Sequence, residues 1–220
     1  MLSTGNDIVS LEEINSSRTN SKQFYSKILS AAEVSLFEQF VPSAIPFEKY
    51  VWLLWSIKEA AYKFLKRIEP ALVFTPVNFE VRQLEIPEDY LIGKFDTNEI
   101  VETGFSNFLA LKSMLKVGDY KVYVSSVIYP EFITSIANDD EHFDAMYWGV
   151  KMIGFSDHVV QSEEVRTFLY KRASIITGRN ELVINKDSNG VPLLFDGEEE
   201  LAIPVSLAHH GDYVGYSFKY

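Results

Sequence analysis

No cysteine occurs anywhere in the 220 residues, which removes disulfides, thiolate metal sites and thiol nucleophiles together and fits a reducing compartment. Long hydrophobic runs are missing too. The longest, Tyr50 to Trp55, falls far short of a membrane span. The opening MLSTGNDIVSLEE has no basic segment leading into an apolar stretch, so neither a secretory signal nor an anchor is read there, and a cytoplasmic protein is expected. Positive charge is scarce: 20 Lys and Arg stand against 31 Asp and Glu, a net charge of -11 with no polybasic block. That balance argues against a nucleic-acid partner, which needs a basic footprint to release counterions. What the chain does have is apolar side chains, 47% hydrophobic and 14% aromatic, ample for one large domain or two small lobes.

Apolar periodicity and turn residues divide the chain. A short strand is expected at Asp7 to Leu11, a helix over about Lys22 to Phe40, and a long helix from Phe47 to Ile68, closed by Pro70. Strand-like segments follow at Val73 to Leu84, Leu91 to Phe95, Phe105 to Leu115 and Tyr120 to Ile128, expected to form one sheet. Residues 129–157 read as a connector with an aromatic cluster at Phe143, Tyr147 and Trp148. Ser162 before Glu163 and Glu164 resembles the start of a helix that runs to Gly178. Four more strands are expected, at Leu182 to Asn185, Pro192 to Phe195, Val205 to Ala208 and Tyr213 to Phe218. Gly118-Asp-Tyr and Gly211-Asp-Tyr each open an alternating strand, a weak internal repeat. With a helix ahead of each β-rich region, the expectation is an α+β protein of two lobes, each a small antiparallel sheet packed with a long helix. The expected bounds are 1–128 for the first lobe, 129–157 for the connector and 158–220 for the second lobe, with a ligand cleft between lobes.

The long helix carries the most informative stretch, Trp55-Ser-Ile-Lys-Glu-Ala-Ala-Tyr-Lys63. Trp52, Trp55, Glu59 and Lys63 follow one helical stripe, so a carboxylate and an ammonium share a face with two indoles. Taken alone, such a pair reads first as an ordinary surface ion pair. Asp7 after Gly5 and Asn6 reads by itself first as a turn residue, and His209-His210 as an exposed polar pair or structural hydrogen bond lacking the spacing of a helical metal clamp.

Three segments in order resemble signature regions of the 4'-phosphopantetheinyl transferases: Gly5-Asn-Asp-Ile-Val9, the Trp55–Lys63 helix and Ser206-Leu-Ala-His-His-Gly-Asp-Tyr213. The order is similar to holo-acyl-carrier-protein synthases, the length to the larger pseudo-dimeric transferases; residues 5 to 85 and 160 to 218 carry the likeness. The resemblance implies a pseudo-dimer that moves 4'-phosphopantetheine from coenzyme A to a serine of an apo acyl or peptidyl carrier protein, releasing adenosine 3',5'-bisphosphate. It implies Mg²⁺ held by Asp7 and Glu59, a number of carboxylates that suits this ion beside a pyrophosphate. It further implies Glu59 and Lys63 as catalytic groups, and coenzyme A contacts from Lys63, Arg166, Arg172, Gly190, Pro192, Ser206 and His209. Lys171 and Lys58 are weaker candidates.

Three departures stand out. Val9 replaces a second acid of the larger enzymes, Val191 the lysine of a G-K-P turn, and His210 a serine. They leave open a coenzyme A or carrier-binding module without efficient catalysis, and a metal-dependent pyrophosphate hydrolase would use the same two acids. Arg18, Lys22 and Lys27 are candidates for docking an acidic carrier. Two internal lobes would complete a cleft within a monomer.

Overall fold

In the computed structural model, which describes residues 3–40, 45–88, 90, 92–105, 110–154 and 157–220, the chain begins with β1 (Gly5–Ser10). Three short helices follow, α1 (Ser16–Thr19), α2 (Lys22–Tyr25) and α3 (Ala31–Phe40), and then the 20-residue α4 (Phe47–Lys66). Next come β2 (Glu80–Glu85), β3 (Glu99–Thr103), β4 (Leu111–Val117), β5 (Tyr120–Ile128), β6 (Phe132–Asn138) and β7 (Met146–Met152). The second long helix, α5 (His158–Thr177), leads to β8 (Leu182–Lys186), β9 (Pro192–Asp196), β10 (Glu199–Glu200), β11 (Val205–His210) and β12 (Tyr213–Lys219). The architecture is α+β, with every strand pairing antiparallel: a five-stranded sheet β1-β6-β5-β4-β2, a four-stranded sheet β11-β12-β7-β3 and a three-stranded sheet β10-β9-β8.

α4 forms because no Gly or Pro interrupts residues 47–66, and its apolar positions recur at helical spacing: Tyr50, Leu53, Leu54, Ile57, Ala60, Ala61, Phe64 and Leu65 are all buried. They pack on the five-stranded sheet against Leu111, Leu115, Val122 and Val124. Each fully buried aliphatic side chain of this kind stabilises by about 1.5–3 kcal/mol. β1 lies directly on the helix backbone. A Cβ at Gly5 would collide with the Ala60 carbonyl oxygen and sit 2.6 Å from the Phe64 nitrogen, so only glycine permits this approach. Two residues further on, Asp7 faces the last turns of α4.

The other edge of β1 meets the four-stranded sheet through side chains. The Asn6 amide donates to Ser206 Oγ at 3.0 Å, the Ser10 amide to His210 Nδ1 at 2.8 Å, and the Thr4 and Ser217 hydroxyls lie 2.8 Å apart. An otherwise open strand edge is thereby satisfied. A second apolar layer, with Ile8, Phe132, Ile136, Trp148 and Tyr213, fills the space between these sheets. α5 covers the four- and three-stranded sheets through Val165, Phe168 and Leu169.

Several sequence expectations are corrected here. The helix expected over Lys22 to Phe40 is broken, because Asn15 caps α1 and Ser30 with Glu33 forms a reciprocal capping box that starts α3 afresh. Val73 to Leu84 holds a 3₁₀ turn at Pro76–Asn78 before β2 begins. No strand forms at residues 92–95, and β3, unforeseen, joins the sheet of β7; the expected strands that do form, β2, β4 and β5, lie together in the five-stranded sheet. Leu91 and residues 106–109 of the expected Phe105 to Leu115 strand lie outside the described residues. The expected connector at 129–157 contains β6 and β7, which occupy inner positions of two sheets. β6 is buried at all seven positions, so it lacks the polar alternation that marks a half-exposed strand. α5 starts at His158 rather than Ser162, because the Asp157 carboxylate accepts from the Val159 and Val160 amides. The Gly118 and Gly211 turns both adopt the left-handed backbone, at φ 56° and 55°. Among the described residues, no helix is long and apolar enough to cross a membrane.

Lys58 belongs to the core. Its ammonium, with no exposure, donates to Glu33 Oε2 at 2.7 Å and the Ile28 carbonyl at 2.6 Å. Glu33 also accepts from the Ser30 and Val81 amides, so this pair ties α4, α3 and β2 together.

Candidate functional site

Asp7, Glu59 and Lys63 meet where β1 crosses α4. Lys63 Nζ lies 3.3 Å from Asp7 Oδ1 and 3.5 Å from Glu59 Oε1. Asp7 is nearly inaccessible, its side chain 6% exposed, while Lys63 and Glu59 keep 25% and 28% of theirs open to solvent. Burial pushes the Asp7 carboxyl up to about 7; the Lys63 ammonium opposes that shift and the Glu59 carboxylate adds to it. Burial also works against the Lys63 charge, but the Asp7 and Glu59 carboxylates outweigh it and hold its pKa above the ordinary lysine range.

Asp7 Oδ2 is buried without a hydrogen-bond partner. Such an atom is costly unless a further ligand meets it. Two carboxylates, one with an unpartnered oxygen, suit a Mg²⁺ that takes its remaining ligands from phosphate and water. Among the described residues, no group of three or more metal-ligating side chains is arranged to hold a metal alone. Val9 sits in the core of the α4 layer, so a second acid two residues after Asp7 has no counterpart here.

Lys63 also opens onto a cleft of about 300 Å³ between α4, α5, the β8–β9 hairpin and β11. Of the residues singled out in the sequence, Lys63, Arg166, Gly190, Pro192, Ser206 and His209 all line it. Lys66, Arg67 and Lys186 add positive charge, and no Asp or Glu appears among the described lining residues. In a chain of net charge -11, a cleft whose described lining has five Lys and Arg and no acid has the charge that suits an anion. The apolar walls come from Tyr62, Val165, Val191, Val205 and Leu207.

The cations differ in how freely they face this space. Lys66 is turned back onto the Pro70 and Leu72 carbonyls. Arg166 Nη1 donates to the Ser162 hydroxyl at 2.7 Å and to its carbonyl at 3.2 Å, which holds this cation against its own helix. Lys186 ends β8 directly opposite Pro192. Val191 is buried, its amide held with that of Asn189 by the Asp187 carboxylate, and Gly190 takes φ 80° in this turn. The turn forms without the expected lysine.

His209 packs edge-on against His158, ring centroids 4.8 Å apart. Burial lowers its pKa, and His158, Lys63, His210 and Lys186 lower it further, so the ring is neutral at pH 7 and can donate a single N–H. His210 is a structural pin: burial lowers its pKa, and its Nδ1 accepts from the Ser10 amide. Removing His209 by alanine should weaken coenzyme A binding at pH 7 by about 0.5–1.5 kcal/mol, roughly two- to tenfold, the worth of a neutral hydrogen bond. Titration calorimetry showing no change would take His209 out of the site.

Arg172 is not brought to the cleft. Six residues from Arg166, it points about 120° away around the helix, where it donates to Thr103 Oγ1 at 3.1 Å and lies over the Tyr147 ring. Lys171 is largely exposed, 4.0 Å from Glu99. The sequence reading missed His158, Lys66, Arg67 and Lys186. Of these, only Lys186 left a signal, as a cation across a hairpin from the Gly-Val-Pro turn.

Residues 3–104, just under half of the chain, match the family model described as the 4'-phosphopantetheinyl transferase superfamily. This stretch carries β1, α4 and the Asp7–Glu59–Lys63 cluster, and over it the chain is similar to that superfamily. Comparison with curated proteins and with solved structures finds no match.

Proposed function

We propose that the protein transfers 4'-phosphopantetheine from coenzyme A to a serine of an apo acyl or peptidyl carrier protein, with Mg²⁺, releasing adenosine 3',5'-bisphosphate. One observation carries this reading: a cationic cleft with no acid among its described lining residues, joined through Lys63 to a buried carboxylate whose other oxygen has no partner. The cleft suits the phosphates and nucleoside of coenzyme A. Asp7 and Glu59 would hold Mg²⁺, which when bound neutralises the charge of the pyrophosphate. Glu59, the more accessible of the two acids, accepts the serine proton as the serine oxygen bonds to the pantetheine-bearing phosphorus. The bond from that phosphorus to the bisphosphate oxygen breaks, and Lys63 steadies the charge that develops on the phosphate oxygens.

The other end of the same α4 stripe supports the acceptor assignment. Trp52, Trp55, Phe24, Ile28 and Phe74 line a groove of about 540 Å³, with the two cations Arg18 and Lys27 against one acid, Glu13. An aromatic lining with net positive charge suits an acidic helix. These cations lie on and just after two short helices rather than along one long helix. Lys22, the third candidate, is exposed but does not line the groove. Reversing Arg18 and Lys27 to Glu together should raise the KM for the carrier at least about tenfold and leave coenzyme A affinity unchanged. Equal carrier KM values would place docking elsewhere.

One chain supplies both the carboxylate cluster and the cleft, so a monomer suffices, and the helix-on-sheet arrangement of each half is in keeping with a pseudo-dimer. A cysteine-free chain that draws on coenzyme A fits the cytoplasm.

A further inference from the structure

We infer that Arg67, the residue capping the C-terminus of α4, is the positioning residue that holds the coenzyme A cleft at its working width; this rests on the reading of the cleft given under Proposed function. Its Nη2 donates at once to the Pro192 carbonyl, 2.7 Å away, and to the Val205 carbonyl, 2.8 Å away. Pro192 opens β9 and Val205 opens β11, and these strands belong to different sheets. A single guanidinium therefore ties three bodies together: the helix carrying Lys63, the hairpin carrying Lys186 and Gly190, and the strand carrying Ser206 and His209.

These bodies are the walls of the cleft. Each wall is regular within itself, but no shared strand ladder joins β9 to β11, so their separation depends on contacts such as this one. Arginine suits the task because it stays charged when buried and lends directional N–H groups to carbonyls. Burial lowers its pKa, with Asp187 and Glu200 opposing, yet an arginine retains its proton under any ordinary condition. Asp187 is the residue that organises the Asn189–Val191 turn, so Arg67 acts on that turn through both hydrogen bond and charge. Lysine is one bond shorter, so its nitrogen should hold the two carbonyls less well.

A strut of this kind affects how well the cleft is formed before coenzyme A arrives, and not the reacting atoms. Arg67→Met should raise the KM for coenzyme A at least about tenfold with kcat within about threefold of wild type, and Arg67→Lys should fall between the two. Amide hydrogen exchange at residues 187–191 should quicken in both variants, a readout that needs no substrate. Unchanged KM and unchanged exchange in folded variants would overturn the assignment. So would a fall in kcat at constant KM, which would place Arg67 in the chemistry, or failure of both variants to fold, which would make it a support of the whole molecule. If wild type neither binds coenzyme A nor transfers, the functional reading fails instead. The exchange measurement still decides whether Arg67 holds the hairpin.

Discussion

Glu59→Gln should give a folded protein that still binds coenzyme A but transfers at least about a hundredfold more slowly, the lower end of what a positioned acid–base group contributes. Glutamine keeps the size of the side chain and its place beside Lys63, so the α4 packing survives; it loses the charge and the basic oxygen. With Glu59 28% exposed, the substitution buries no new polar group and stability should hardly move. The loss should appear in kcat. Equal turnover by the Gln variant, with a carrier that wild type modifies, would deny Glu59 any part in the reaction. A variant that lost coenzyme A binding as well would move Glu59 from the chemistry to the phosphate site.

Lys58→Met should destabilise the fold by about 3–5 kcal/mol, the usual result of removing one partner from a buried ion pair. Glu33 would be left charged at zero exposure, with only the Ser30 and Val81 amides as partners, and the Ile28 carbonyl would lose its donor. Against total stabilities of roughly 5–15 kcal/mol, such a loss is severe. Urea unfolding followed by circular dichroism measures it directly. Adding Glu33→Gln should recover part of the loss, because the unpaired charge is then gone. A single variant within about 1 kcal/mol of wild type would show that the ammonium contributes little to the fold.

Much of this was legible in the sequence where one face of an element is buried and the other is not. α4 announced itself through its apolar stripe, and the Gly5–Asp7 and Ser206–Tyr213 segments through their similarity to known motifs. The structure then places Asp7, Glu59 and Lys63 together and gathers Arg166, Gly190, Pro192, Ser206 and His209 around one cleft. β6 was illegible for a physical reason: it is buried at every position and carries no alternation, and polar residues such as Thr134 and Ser135 are satisfied by other strands, Thr134 by the Asp7 carbonyl and Ser135 by Ser126. Lys58 misled in the opposite direction. Its position in a motif drew attention to ligand binding, but Glu33, 25 residues earlier, claims it for the core, and no local pattern links the two. Arg67, Lys186 and His158 escaped because each lies at an element's end among other polar residues, with nothing local to single it out, and is brought to the cleft only by long-range packing. Arg172 was misplaced by helical phase, which was computable from its spacing to Arg166.

The most direct test of the account is the intact mass of apo acyl and peptidyl carrier proteins incubated with the protein, coenzyme A and Mg²⁺, with the small-molecule products followed in the same samples. The expected result is one phosphopantetheine added to a carrier, one adenosine 3',5'-bisphosphate released for each addition, and neither product after chelation or with Asp7→Ala. Cleavage of coenzyme A to phosphopantetheine without any acceptor would make the protein a hydrolase, and coenzyme A bound but unchanged with every carrier would make it a binding module; either result contradicts the transferase assignment.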